Sequence, residues 1–127
     1  MTDSKNINFR KFCTISGKDI LCGKSAEQNE LLVAQSGKDE TVIHTKDPGS
    51  PFCNIKGKAT QGDIKETAVI CAAFSKAWKQ NKSDIEVHVF RGRDIFKSAG
   101  MKAGTFGVKK VKSLFVKKEN IQTFLKK

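Results

Sequence analysis

The chain has 127 residues, enough for one domain and too few for a multidomain enzyme. Hydrophobic residues make up 38%, which excludes wholesale disorder, and the longest apolar run, Ala68 to Phe74, is far short of the about 20 residues that a membrane span needs. Lys and Arg number 24 against 13 Asp and Glu, a net charge of +11 that directs attention to anionic partners.

Residues 1–8 read as a polar N-terminal tail without an apolar signal core, so export is not indicated and a cytoplasmic location is expected. Residues 9–127 read as a single domain. Phe9 to Ile15 alternates Phe9, Cys13 and Ile15 against Arg10 and Thr14, the period of a strand. Ser16-Gly17-Lys18-Asp19 is a turn signal and Ile20-Leu21-Cys22 returns as its partner. Ser25 followed by Gln28 predicts a capped helix carrying Leu31, Leu32 and Ala34, with Gly37 closing it in the left-handed conformation. Thr41-Val42-Ile43 is a β-branched strand. It feeds a loop, His44 to Pro51, whose two prolines and glycine within four residues forbid regular structure. Phe52 to Ile55 resumes as a strand.

Asp63, with Glu66 three residues on, predicts the cap of a main helix. Ile64, Ala68, Cys71, Phe74 and Trp78 mark its apolar stripe, and Asn81-Lys82-Ser83 ends it. Ile85, Val87 and Val89 alternate with polar neighbours as a half-buried strand. Residues 91–107 read as irregular and glycine-rich. Phe106 and Val108 then face Leu114 and Val116 in an expected hairpin, and Ile121, Phe124 and Leu125 form a last short helix. The expected fold is α+β: an antiparallel or mixed sheet with one long and two short helices on one side.

Four cysteines, at 13, 22, 53 and 71, have no C-x-x-C spacing and read as reduced, buried structural thiols, with no metal or cofactor implied. Gly23-Lys24-Ser25 lacks the glycine spacing of a nucleotide-hydrolysing phosphate loop, although a helix N-terminus at Ser25 can meet a backbone phosphate. His44, Asp47 and Ser50 stand within one loop, whereas a hydrolytic triad converges from separate elements. The expectation is therefore that His44, Lys46 and Ser50 bind phosphate rather than catalyse. His88, on the polar face of its strand, is given no special task.

The charge is uneven. Residues 1–75 hold 10 basic and 9 acidic residues, and residues 76–127 hold 14 and 4. Between Arg91 and Lys118 nine basic residues accompany one acid, Asp94, and they flank glycine-rich turns. Glycine removes bulk, so amides and ammonium groups can approach phosphates together. Arg91, Arg93 and Lys97 open this candidate contact surface, and Lys102, Lys109, Lys110 and Lys112 continue it. Folding is expected to gather these cations into one face beside the proline loop.

Several segments are similar to one known family. Gly23-Lys24-Ser25-Ala26-Glu27-Gln28-Asn29-Glu30-Leu31 and the loop His44-Thr45-Lys46-Asp47-Pro48-Gly49-Ser50 resemble motifs of the NFACT-R domain. So do Glu66 to Ala77, and Lys97 to Gly104 with Leu114-Phe115-Val116. The matches run in order over about residues 17–117. The loop departs from the family pattern in being one residue shorter before Pro48. It also has Val42-Ile43 in place of an aromatic pair, and Pro51 in place of a second histidine. The resemblance implies a noncatalytic module that binds structured RNA, tRNA or rRNA, in ribosome-associated quality control or beside an RNA-modifying enzyme. The alternatives to it are a small RNA-processing enzyme using His44 and an adaptor for an acidic protein.

Overall fold

The computed structural model describes residues 7–127. Its first strands form the expected hairpin, β1 (Arg10–Cys13) and β2 (Asp19–Cys22), with Phe12 opposite Ile20. β1 is shorter than its alternation indicates and has the opposite phase. Phe12 faces the core, Cys13 is exposed and Ile15 is 94% exposed. The chain leaves the strand at Thr14, whose carbonyl accepts from Gly17 N, with Gly17 supplying a φ of +95°. Of the expected tail, residues 1–6 lie outside the described residues. Ile7 packs against the cluster around Leu32, and the Asn8 carbonyl accepts from Gln28 Nε2.

Ser25 caps α1 (Ala26–Gln35), its hydroxyl accepting from Gln28 N at 3.1 Å. Gly37 does not close the helix in the left-handed conformation. Ser36 is the C-cap, and Gly37 N donates to Glu40 Oε1 instead. β3 (Thr41–Thr45) and β4 (Cys53–Ile55) pair antiparallel across the proline loop. α2 (Gln61–Ala73) opens at Thr60, not at Asp63. Thr60 Oγ1 accepts from Asp63 N while Asp63 Oδ2 accepts from Thr60 N, the reciprocal pair of a capping box. Asp63 also accepts from Ser16 Oγ at 2.6 Å, which ties the β1–β2 turn to the helix. The Ser16 hydroxyl first, then the Thr60 amide, hold its carboxyl well below the usual range.

The long helix expected through Trp78 is divided. Ser75 Oγ donates to Ala72 O and accepts from Trp78 N, closing one helix and starting the next, α3 (Lys76–Gln80). β5 (Ile85–Arg91) then leads through a 3-10 turn at Gly92–Asp94 into β6 (Ile95–Phe96). The expected hairpin of Phe106–Val108 with Leu114–Val116 does not form. β7 (Gly107–Val108) pairs with β6 in a separate ribbon, and β8 (Lys112–Val116) pairs with β5 at the edge of the main sheet. α4 (Lys118–Leu125) follows.

The main sheet has the order β1-β2-β4-β3-β5-β8, and all of its pairings are antiparallel. Both faces are covered, so the α+β reading stands while the one-sided placement of the helices does not. Ile43, Cys53, Val87 and Val116 pack against Ala68 and Ala72 of α2 and Ile121 of α4. Leu21, Val42 and Phe90 face the other way and pack with Leu32 of α1, Phe9 and Phe52. Val42 and Ile43 are both fully buried, as a strand covered on two sides requires. Three free thiols, Cys22, Cys53 and Cys71, meet in the first core, with Cys22 and Cys53 Sγ atoms 2.9 Å apart. Burial first, then these neighbours, push the Cys53 thiol up.

Candidate nucleic-acid interface

The second face of the sheet ends in a cleft of about 840 Å³. Three segments far apart in sequence build it: Gly23 to Ala26 at the start of α1, the loop residues His44 to Lys46 and Pro48 to Pro51, and Ala103 to Phe106 from the arm between β6 and β8. Gly23 is buried, and a side chain on it would collide with Asn29 Oδ1. The glycine thereby lets Asn29 reach under the loop and accept from Phe52 N at 3.2 Å.

The loop is held by its own side chains. Ser50 Oγ accepts from Thr45 N at 3.1 Å and donates to Pro51 O, and Thr45 Oγ1 donates to Asp47 O at 2.6 Å. Gly49, at φ +97°, presents its carbonyl to Lys76 N, which bridges the loop to α3. Ser50 is thus a buried loop staple with its hydroxyl engaged on both sides. It forms no relay with an imidazole.

The His44 ring stacks on Phe52 with centroids 4.2 Å apart. Phe106 meets Phe52 edge to face at 5.3 Å. His88 stands directly across from His44 on β5, so a second histidine comes from another strand, with its Nε2 3.7 Å from Glu86 Oε2. Burial first, then the charge of His88, lower the His44 pKa to about 4, with the backbone at Thr45 and Ser50 pulling the other way. At neutral pH His44 is therefore an uncharged flat ring, not a cation.

A base whose folded pKa lies below its unfolded value of 6.5 favours the folded state fully above that value and progressively less on acidification to about 4. Urea unfolding at pH 7 and pH 5 should show a loss of about 2 kcal/mol attributable to this group. In His44→Gln that share of the loss should vanish. An equal loss in both proteins would place the imidazole in water.

The remaining sequence-predicted residues are distributed around this cleft unequally. Lys46 lines it, with a side chain 59% exposed and Nζ 3.8 Å from Glu86 Oε1. Lys97 is enclosed. Its ammonium donates to Glu30 Oε2 at 2.6 Å and to the carbonyls of Lys102 and Thr105, and it lies over the Phe106 ring. Gly104 N donates to the same Glu30 oxygen, and Lys97 first, then Gly104, lower the Glu30 pKa. Lys97 and Glu30 together pin the arm onto α1. Lys102, Lys109 and Lys110 are exposed on that arm, next in sequence to the lining residues Ala103, Val108 and Val111.

Arg91 is exposed three residues along β5 from His88, opposite Thr41, and Arg93 forms an ion pair with Asp39. Neither lines the cleft. Lys112 pairs opposite Val89 and shares the α2–α4 side of β8 with Leu114 and Val116, away from the cleft. Conversely, Arg10, Lys24 and Lys79 line the cleft without having been singled out as ligand groups. They come from β1, the α1 entry and α3, and nothing local in the sequence marks them as neighbours. Among the described residues no Asp or Glu lines the cleft.

A sequence model described as the NFACT protein RNA binding domain matches residues 8–110. The chain belongs to the NFACT RNA-binding domain family. No curated protein matches this NFACT domain. Among solved structures it is similar to the C-terminal part of the fibronectin/fibrinogen-binding protein from Streptococcus suis, with a TM-score of 0.80 and 23% identity. The likeness covers 93% of this NFACT domain and 49% of that chain, and at this identity it shows a shared fold. No helix among the described residues is long and apolar enough to cross a membrane.

Proposed function

We propose that this NFACT domain is a noncatalytic module for structured RNA of the tRNA or rRNA class, held mainly through the phosphate backbone. The observation that carries the reading is the charge of the cleft: Arg10, Lys24, Lys46 and Lys79 line it, and no carboxylate does so among the described residues. Lys102, Lys109 and Lys110 extend this field along the adjoining arm. Phosphates meeting such a surface release condensed counterions, and contacts of this kind position a nucleic acid without reading its sequence. The family description names binding to RNA, and the Ser50 hydroxyl is committed to its own backbone. Both favour binding over hydrolysis. A place in ribosome-associated quality control, or beside an RNA-modifying enzyme, is consistent with a module that recognises shape and charge and leaves chemistry to a partner.

Affinity for a labelled tRNA should fall about a thousandfold between roughly 50 and 200 mM salt if about six phosphates are engaged. Fluorescence anisotropy across that range measures it. A flat dependence would overturn the phosphate reading.

A further inference from the structure

One donor of the cleft, the Asn29 NH2 group, has no hydrogen-bond partner among the described residues. Asn29 is 8% exposed and lines the cleft. Its Oδ1 accepts from Phe52 N, which fixes the orientation of the amide and turns the NH2 group the other way. Among the described residues that NH2 meets no acceptor, yet no enclosed side-chain nitrogen or oxygen goes without a hydrogen bond. The nitrogen therefore opens onto the cleft. Water reaches this donor in the free protein, and a ligand acceptor of matching shape can take the place of that water.

Beside it stands a wall of rings: His44 stacked on Phe52, with Phe106 edge-on to Phe52 and partly exposed. Lys24 and Lys46 stand exposed in the same lining. The volume, about 840 Å³, lies in the range of small-ligand sites. A donor in the depth, flat apolar faces at the side and cations in the lining match the three parts of a nucleotide: an acceptor edge, a π-face and a phosphate. A base within a duplex offers its phosphate but neither its Watson–Crick edge nor its faces, because the edge is paired and both faces are stacked.

We propose that the cleft receives one unpaired nucleobase from a loop or bulge, its acceptor edge on the Asn29 amide and its ring against the His44–Phe106 wall, with the flanking phosphates at Lys24 and Lys46. This rests on the RNA-binding reading above and adds to it a preference for unpaired over paired RNA that is tolerant of base identity. His44, uncharged at neutral pH, suits a stacking face better than a phosphate contact.

Three RNAs of equal charge test it: a hairpin with 2-aminopurine in its loop, the same hairpin with abasic loop positions, and a fully paired duplex. The first should bind about tenfold more tightly than the other two, with its fluorescence quenched on binding. Ala103 is exposed and lines the cleft, so Ala103→Leu fills space there without removing a cation or adding a ring. It should abolish both the tenfold preference and the quench, and leave duplex affinity and its salt slope unchanged. Phe106→Ala should do the same by removing a ring. Equal binding of all three RNAs by the wild-type protein, steep in salt and without quenching, would overturn this inference and leave the phosphate reading standing. Binding of none of them would overturn both.

Discussion

Replacing Phe52 by Ala should cost about 3–5 kcal/mol of stability, a fall of roughly 10–20 °C in the thermal midpoint. Phe52 is 4% exposed and sits where three contacts converge: the His44 ring, the Phe106 edge and the Phe90 edge at 6.4 Å. Its backbone N–H also donates to Asn29 Oδ1, so the ring and the backbone beneath it are fixed together. Losing the ring opens a cavity between sheet and cleft and exposes one face of His44. The His44 pKa, held at about 4 chiefly by burial, should then rise toward 6.5. Calorimetry gives the first quantity and an NMR titration of the imidazole protons the second. Phe52→Leu, which keeps most of the volume, should show a smaller loss on both. A His44 pKa unmoved in Phe52→Ala would mean that the ring is not what keeps water from the imidazole.

Reversing Lys102, Lys109 and Lys110 together to Glu should weaken RNA binding by roughly a hundredfold at low salt and reduce the salt slope by about three. The loss should be similar for every RNA sequence, because phosphates carry no base identity. All three side chains are exposed, and none takes part in an ion pair among the described residues. The folded state should therefore survive the change with an unaltered circular dichroism spectrum. Lys112→Glu is the informative contrast. Lys112 lies on the α2–α4 side of β8, so its reversal should change affinity less than about twofold. A Lys112→Glu loss equal to that of a single Lys102→Glu, Lys109→Glu or Lys110→Glu reversal would show that binding responds to net charge alone and not to the arm.

Much of the architecture is written locally. Turn chemistry at Ser16–Lys18, the Ser25 cap, the prolines at 48 and 51 and the alternation of Ile85, Val87 and Val89 each involve residues a few positions apart, and each is realised. What escaped depends on distance. β6 and β7 have two residues each, too few for any period, and the chain between them runs through Gly100 and Gly104 in left-handed conformations. Without that ribbon in view, Val108 looks like a hairpin partner for Leu114. Thr60 and Asp63 are both cap-forming residues, and only the geometry tells which stands outside the helix.

The candidate site divides in the same way. The His44–Ser50 loop is conspicuous because proline and glycine punctuate it. Arg10, Lys79, Asn29 and Phe106 arrive from four separate elements and carry no common signature. A charge run counts ammonium groups but does not show that Lys97 is claimed by Glu30 and Arg93 by Asp39.

The Glu30–Lys97 clamp has a kinetic side. A glycine-rich arm with free ends would have to lose its conformational freedom at the moment of encounter, and that ordering would subtract from affinity. Here the ordering has taken place during folding, through one carboxylate that grips both an ammonium group and the Gly104 amide. The arm that meets an incoming polyanion is already tied to α1 at these two points. Capture should proceed at a rate set by diffusion and long-range attraction, without waiting for a loop to settle.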